Sequence, residues 1–214
     1  MKNILSVLFF ILTFLFVNSS NAQKLNFVDE GIQDSSFNNF RTEFLNAVLK
    51  KDTVFLFSKL DSSVTIGFGN ENGIKEFKKK YFRNKKLDVW QILTRVVSLG
   101  GRFKGKDKNV FFAPYVYTDW PDTTDAFNYS AIINDTVHVY DEPCTCTKTI
   151  EKLSYQIVKV DINYFNRDKW EIVFTPDKKK GFVESKDVYS PIGYRIGFQK
   201  EDGKWKVLFL LSGD

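Results

Sequence analysis

The sequence is poor in the residues that most often carry metal and acid–base chemistry. It has one histidine, two cysteines and one methionine among its 214 residues. It also lacks the G-x-S-x-G, phosphate-loop and H-E-x-x-H patterns that mark common hydrolases and nucleotide-binding proteins. A histidine-based metal centre or catalytic triad has little material here, so we expect neither a bound metal nor a cofactor.

Long apolar runs are also scarce, and the one present lies at the amino terminus, at residues 4–17 (ILSVLFFILTFLFV). Ser20 and Ala22 occupy the −3 and −1 positions of a cleavage site before Gln23, as is typical of a secretory signal peptide. An uncleaved anchor is the less favoured alternative, because a span needs about 20 apolar residues. We therefore predict a signal peptide over residues 1–22 and an exported chain, periplasmic or secreted, with no transmembrane segment after cleavage.

Positive charge is not concentrated enough to predict a nucleic-acid partner. The chain carries 31 basic and 26 acidic residues, a net charge of +5 at pH 7. Short lysine runs at residues 78–80, 85–86 and 178–180 could meet an anionic wall or membrane surface. Acidic residues are interspersed along the chain, which favours solvated helix faces and turns instead. We expect no nucleic-acid partner for an exported chain with so small an excess.

The part of the chain that follows the predicted signal peptide has mostly helical spacing. Apolar residues in SSFNNFRTEFLNAVL recur at i, i+3, i+7, i+8, i+11 and i+12, which predicts an amphipathic helix capped by Ser35 or Ser36. Asp52 and Asp88 are predicted to cap two further helices. The segments SVTIGFG and NVFFAPYVYT are strand-like, and the polar loop at residues 119–125 is the predicted domain junction.

From residue 126 the apolar period changes to two. The predicted strands are AIINDTVHVY, LSYQIVKVDI, KWEIVFT, GFVES, GYRIGFQ and WKVLFLL, the last two joined by a KEDG turn. Many short strands separated by turns indicate a small barrel or sandwich. We therefore predict an α+β protein with a helical-rich domain over residues 23–125 and a β domain over residues 126–214.

Both cysteines and the histidine fall in one stretch, VHVYDEPCTC. If its valines face the core, His138 and Tyr140 point outward, and Pro143 ends the strand pairing, which places Cys144 and Cys146 in a turn. A local disulfide is favoured by the oxidising compartment. Free thiols, a metal site and a cysteine–histidine catalytic pair remain as alternatives. A closed metal site needs four ligands, and a strand separates the thiols from the imidazole.

The segments VHVYDEP, IEKLSYQIVKV, WEIV and KKGFVESKDV together resemble a bacterial SH3 (SH3b) domain over residues 135–190. The residues at matching places are Val137, Val139, Pro143, Ile150, Leu153, Trp170, Val173, Gly181 and Val183. The chain departs from the family at its Cys-Thr-Cys turn. The resemblance implies a small SH3-like β-barrel that closes on a one-turn helix, here with an extra C-terminal hairpin. Exported bacterial proteins that carry such an SH3-like part and hairpin have C-terminal sequences similar to that of this chain.

The resemblance implies binding rather than catalysis. SH3b modules are binding and targeting units, so a cell-envelope peptide, protein or peptidoglycan is the expected partner by analogy of fold. Trp170 is expected in the core. The surface residues expected to contact the ligand are Tyr140, Glu142, Tyr164, Tyr189 and Arg195. The alternative is a cell-wall hydrolase with a catalytic N-terminal domain and the barrel as its targeting arm.

Overall fold

A computed structural model describes residues 23–84, 86–163 and 169–213. The predicted signal peptide lies outside the described residues. The α-helices are α1 (Ser35–Leu49), α2 (Thr53–Ser58), α3 (Ile74–Lys78), α4 (Val89–Ser98) and α5 (Tyr115–Thr118). Single 3₁₀ turns lie at Glu30–Gln33 and Ser185–Asp187, and a π-helical segment at Lys79–Arg83 follows α3. In the part of the chain described, no helix is both long and apolar enough to cross a membrane.

The strands form two sheets. They are β1 (Leu60–Thr65), β2 (Arg102–Lys104), β3 (Val110–Ala113), β4 (Tyr129–Ile132), β5 (Val137–Tyr140), β6 (Thr149–Leu153), β7 (Ile157–Val160), β8 (Trp170–Phe174), β9 (Lys180–Glu184), β10 (Val188–Tyr189), β11 (Arg195–Glu201) and β12 (Lys204–Leu211). The coarse prediction of a chain that mixes α-helices and β-strands is confirmed.

Carboxylates cap the three longest helices. Asp52 accepts from Phe55 N at 2.9 Å at the start of α2, and Asp88 accepts from Trp90 N at 3.0 Å at the start of α4, as predicted. The predicted cap of α1 was wrong by one or two residues. Asp34 lies one residue before the first serine, and its Oδ1 accepts from Phe37 N at 2.8 Å. An aspartate in this position satisfies one of the free amide groups of the first turn.

The first sheet has the order β1-β12-β11-β3-β2, with β1 parallel to β12 and the other pairs antiparallel. Helices α1 and α4 supply apolar side chains to the core that includes this sheet. Aromatic rings dominate that core: Phe37, for example, lies 4.2 Å from Phe111 and 4.9 Å from Trp205 between ring centroids. Burial of so many large rings is the main source of stability in this half of the chain.

The C-terminal hairpin β11–β12 belongs to the first sheet, although the sequence analysis placed it with the predicted barrel. β11 pairs with β3, and β12 pairs with β1. Residues Arg195–Phe198 at the start of β11 are all buried, so both faces of that stretch are covered. The turn between the strands has positive φ at Asp202 and Gly203, as the predicted tight hairpin requires.

Proline ends a predicted strand in the same half. The segment NVFFAPYVYT forms β3 only as far as Ala113, and α5 begins directly after Pro114. Proline has no amide hydrogen to donate to a strand partner, which explains why the ladder stops there. The strand predicted at SVTIGFG also lies earlier than expected, at Leu60–Thr65, and Phe68 is exposed.

The second sheet has the order β10-β4-β7-β8-β9-β5-β6, and all its pairs are antiparallel. Its buried side chains include Val137, Val139, Leu153, Val173 and Val183, which form a small aliphatic core. β6 and β10 are the two edges, so the described strands form an open sheet and not the predicted closed barrel. A sheet closes only when its edge strands pair, and no pairing of β6 with β10 occurs in the described residues.

The two sheets share apolar packing. Ala131, Ile133, Ile157 and Tyr189 come from the second sheet or the residues next to its strands, but they belong to the same buried cluster as α1 and α4. The segment at residues 23–25 also contacts the second half of the chain: Ile157 N donates to the carbonyl oxygen of Gln23 at 2.8 Å. Each end of the described chain therefore contacts the opposite half. The segment at residues 23–25 contacts the second sheet, and the hairpin β11–β12 pairs with strands of the first sheet.

Candidate functional site

The outward face of β5 carries a row of aromatic side chains. Val137 and Val139 are buried and His138 and Tyr140 are half-buried, which confirms the alternation predicted from the sequence. The His138 and Tyr140 rings are stacked with centroids 6.1 Å apart. Tyr140 also meets the ring of Trp170 edge-to-face at 5.8 Å. Trp170 is 4% exposed, so its predicted place in the core is confirmed.

A groove of about 240 Å³ lies beside this row. We call it the aromatic groove, and its lining residues are Thr136, Val137, His138, Tyr140, Glu184, Lys186 and Asp187. The first four come from β5 and the turn before it. The last three come from the end of β9 and the 3₁₀ turn Ser185–Asp187, which follows directly. Adjacent strand ends therefore bring an aromatic wall and a charged wall together.

The charged wall of the aromatic groove is held in place by polar contacts. Lys186 Nζ lies 2.8 Å from Glu184 Oε2, and the hydrogen bond to Glu184 raises the pKa of Lys186. Asn134 Nδ2 donates to Asp187 Oδ1 at 2.6 Å. On the aromatic side, His138 Nδ1 and Thr149 Oγ1 are 3.1 Å apart. The groove thus presents ordered donors, acceptors and ring faces, which are the groups that bind a polar chain molecule.

Glycine at position 181 allows β9 to lie close to β5. A Cβ atom added there would overlap with Val139 Cγ1, and it would lie 3.0 Å from the Tyr140 carbonyl oxygen. Gly181 lies inside strand β9 and not in a turn. Its role is close packing beneath the aromatic row.

The predicted ligand residues do not all meet at the aromatic groove. Tyr140 lines it, while Glu142 is exposed in the β5–β6 loop, where its carbonyl oxygen accepts from Cys144 N at 2.7 Å. Tyr164 lies outside the described residues. Tyr140 and Glu142 therefore remain candidates, and only the first has a place in the groove.

Tyr189 and Arg195 are buried, so the expectation that they lie on the surface was wrong. Tyr189 is 7% exposed, and its hydroxyl donates to the Tyr194 carbonyl oxygen at 2.6 Å. Arg195 is 6% exposed, and its Nη2 donates to the Gly213 carbonyl oxygen at 2.8 Å. The Arg195 guanidinium also lies 4.9 Å from the centre of the Tyr117 ring. Both side chains hold the fold together.

Sequence reasoning missed the charged wall formed by Glu184, Lys186 and Asp187. Its signal was the run ESKD, which begins within the predicted strand GFVES and extends to the place where the SH3b resemblance expects a one-turn helix. Such a turn points successive side chains in different directions, so these residues reach the groove only once the 3₁₀ turn has formed.

Cys144 and Cys146 form a disulfide with Cα atoms 5.2 Å apart. Thr147 N and Thr147 Oγ1 both approach the Cys144 carbonyl oxygen, at 3.2 and 2.9 Å. This turn brings the two Cα atoms closer than an extended chain allows. Sulfur atoms joined in this way are not thiolates, so they provide neither a nucleophile nor a metal ligand while the bond is intact.

Ion pairs with arginine engage three carboxylates that precede the second sheet in sequence. Asp29 pairs with Arg41 at 2.7 Å, and both side chains are nearly buried. Glu30 and Asp119 both pair with Arg102, at 2.7 and 2.6 Å. These hydrogen bonds raise the pKa of Arg102, so its positive charge is permanent.

Three tyrosines are the other buried ionisable groups with large shifts. Burial raises the pKa of Tyr81, Tyr115 and Tyr189 above the ordinary value. These hydroxyls stay protonated at neutral pH and do not act as bases there. In the ranges 23–84, 86–163 and 169–213, no three His, Cys, Asp or Glu side chains gather in a way that would hold a metal ion.

Comparison with protein-family models, with curated proteins and with solved structures gives no match.

Proposed function

We propose that this chain is an exported, non-catalytic protein that binds a peptide of the cell envelope through an SH3b-like unit formed by the second sheet. The observation that carries the proposal is the aromatic groove, in which His138 and Tyr140 face charged side chains of the 3₁₀ turn. Grooves lined by aromatic rings on SH3 domains hold extended peptides. The peptide chemistry is common to peptidoglycan stems and to envelope proteins, and either source is compatible with the groove.

The order of elements in the second sheet supports the SH3b-like assignment. A first strand, β4, is followed by the hairpin β5–β6 and the meander β7–β8–β9. The 3₁₀ turn Ser185–Asp187 then leads into β10, which pairs back with β4. The SH3b resemblance predicts the part of this succession that runs from β5 to the one-turn helix after β9. The open edge at β6 departs from a closed barrel.

Export is supported by the sequence pattern of residues 1–22 and by the cysteine chemistry. A disulfide between residues two apart is compatible with an oxidising compartment such as the periplasm or the exterior. We propose that cleavage before Gln23 leaves the mature protein, and that the mature protein meets its partner in the cell envelope.

Retention of the mature protein, residues 23–214, on isolated peptidoglycan sacculi and on immobilised envelope proteins tests the proposal. Retention on bare sacculi would identify a stem-peptide source, and retention on envelope proteins alone would identify a protein source. The double variant His138→Ala with Tyr140→Ala should lose about tenfold or more in apparent affinity, because two aromatic contacts are removed.

Phe127→Ala is the matched control, since Phe127 is an exposed aromatic residue that does not line the aromatic groove. The control should bind like the wild type. Equal retention of the double variant and the wild type would refute the assigned site. Release of soluble fragments from sacculi by the wild type would contradict the non-catalytic assignment and favour the hydrolase alternative.

A further inference from the structure

A second and larger groove lies on the other side of the 3₁₀ turn. It occupies about 600 Å³ where the end of α1, the exposed face of α4 and the β4–β5 turn meet. We call it the α4 groove. This volume is in the range of small-ligand sites, which occur preferentially where two parts of a fold meet. Lys186 lies between the two grooves and lines both.

One face of α4 supplies a row of hydrogen-bonding side chains to the α4 groove. Gln91, Thr94, Arg95 and Ser98 all line it. Their spacing of i, i+3, i+4 and i+7 places them on one side of the helix. Seven residues of helix span about 10 Å, which equals the length of about three residues of extended peptide. Side chains of these types can form hydrogen bonds with a peptide backbone.

Apolar side chains flank this row. Leu49, at the end of α1, is 67% exposed, and Trp90 and Ile133 also line the groove. Most of the Leu49 side chain is therefore left uncovered by the described chain. A ligand with apolar side chains would remove this surface from water, which favours binding.

The charges that line the α4 groove are mostly positive. Its cations are Lys51, Arg95 and Lys186, and its one acid is Asp88, whose Oδ1 accepts from two amide groups at the start of α4. Two backbone carbonyl oxygens hold Arg95 Nη2, that of Ser185 at 2.7 Å and that of Val188 at 2.6 Å. Both of these partners are neutral carbonyl oxygens, so the two hydrogen bonds do not cancel the positive charge of Arg95.

We propose that the α4 groove binds a short acidic peptide in an extended conformation. Its carboxylates pair with Lys51 and Arg95, its backbone follows the polar row of α4, and its apolar side chains cover Leu49 and Trp90. The proposal is independent of the aromatic groove, because it uses different side chains and does not require an SH3b-like unit.

Fluorescence anisotropy with labelled synthetic hexapeptides tests this site on the mature protein. One peptide alternates Glu with Leu, and the matched control peptide alternates Lys with Leu. The acidic peptide should bind at least tenfold more tightly than the basic one. Lys51→Glu should weaken the acidic peptide about fivefold or more, because charge reversal replaces an attraction by a repulsion. Trp90→Ala should also weaken it, through lost apolar contact.

Lys178→Glu makes the same change of net charge outside the groove, since Lys178 lies in the turn between β8 and β9. It should leave affinity within twofold of the wild type, and so should Tyr140→Ala in the aromatic groove. Equal losses in Lys51→Glu and Lys178→Glu would show a general charge effect and overturn the proposal. Equal affinity for both peptides, or loss through Tyr140→Ala, would overturn it too. Thermal unfolding of each variant checks that the fold is retained.

Discussion

Arg95 connects α4 with the second sheet, and its replacement by methionine should destabilise the protein strongly. The guanidinium donates to the carbonyl oxygens of Ser185 and Val188 and lies 5.2 Å from the centre of the Tyr189 ring. A hydrogen bond from a charged group contributes about 1.5–3 kcal/mol, and a cation–π contact about 0.5–1 kcal/mol. Because Arg95 is half-buried, we take the lower value for each contact and expect a loss of about 3–3.5 kcal/mol.

Urea unfolding of Arg95→Met measures this loss. The urea concentration at the unfolding midpoint should fall. The slope of the unfolding free energy against urea concentration should stay unchanged, since the variant exposes no additional surface on unfolding. A loss of this size corresponds to a drop in melting temperature of about 6–12 °C for a chain of this length. Arg83→Met is the control, because Arg83 is exposed, and it should stay within about 0.5 kcal/mol of the wild type.

A double-mutant cycle separates the ring contact from the hydrogen bonds. Arg95→Met and Tyr189→Leu, alone and together, should show a coupling free energy of about 0.5–1 kcal/mol. If Arg95→Met is as stable as the Arg83→Met control, the contacts of Arg95 do not stabilise the fold. In that event α4 and the second sheet are held together by apolar packing alone.

Three further predictions concern the strands, the tyrosines and the disulfide. Gly197→Ala should cost about 1–3 kcal/mol in chemical unfolding, because its Cβ would overlap with the Phe209 ring, whereas Gly67→Ala has open space and should be nearly neutral. Above pH 10 stability should fall, by up to about 1.4 kcal/mol per pH unit for each buried tyrosine, in a pH series of urea titrations. Because burial raises the pKa of these tyrosines in the folded state, the unfolded chain loses their protons at a lower pH than the folded chain does. Below pH 10 the tyrosines should therefore leave stability unaffected, and constant stability from pH 10 to 11.5 would contradict the prediction. The tyrosines concerned are Tyr81, Tyr115 and Tyr189. Replacing Cys144 and Cys146 together by serine should lower stability by less than about 2 kcal/mol, because the disulfide closes a very short loop. Calorimetry measures this loss, and a larger value would show that the disulfide contributes more to the fold than its loop length predicts.

The features that the sequence predicted correctly depend on neighbours in the chain. The caps at Asp52 and Asp88 form because each carboxylate reaches an amide two or three residues ahead. The alternation of Val137 and Val139 with outward side chains follows from strand geometry alone. The tight turn at Gly203 also depends only on local backbone preference. Each of these requires no knowledge of the rest of the fold.

The features that the sequence did not predict depend on distant partners. Leu60 in β1 pairs with Val207 in β12, in a parallel arrangement that no local pattern encodes. The C-terminal hairpin has the same alternation as the strands of the second sheet, so its period could not show which sheet it joins. The choice follows from the covering of both faces at the start of β11, which only the packed structure reveals.

The residues of the candidate site also divide into those set by chain neighbours and those set by distant partners. Tyr140 was predicted because it alternates with buried valines. Arg195 alternates in the same way, but Tyr117 and the Gly213 carbonyl oxygen cover its charge. An arginine can bury its stem and its guanidinium against an aromatic ring and a carbonyl oxygen. Sequence alternation therefore indicates which way a side chain points, and does not indicate whether another element lies there.

The 3₁₀ turn Ser185–Asp187 determines how both grooves respond to ligands. Lys186 lines both grooves, and Arg95 from α4 fixes the carbonyl oxygen of Ser185 beside it. A ligand that displaced this turn would have to break the hydrogen bonds of Arg95, each of which contributes about 1.5–3 kcal/mol. A peptide that leaves the turn in place avoids that cost, and pre-formed sites bind more tightly because less ordering is needed. Both grooves should therefore accept peptides without rearrangement of the backbone, and their shape in the free protein is the shape that selects the ligand.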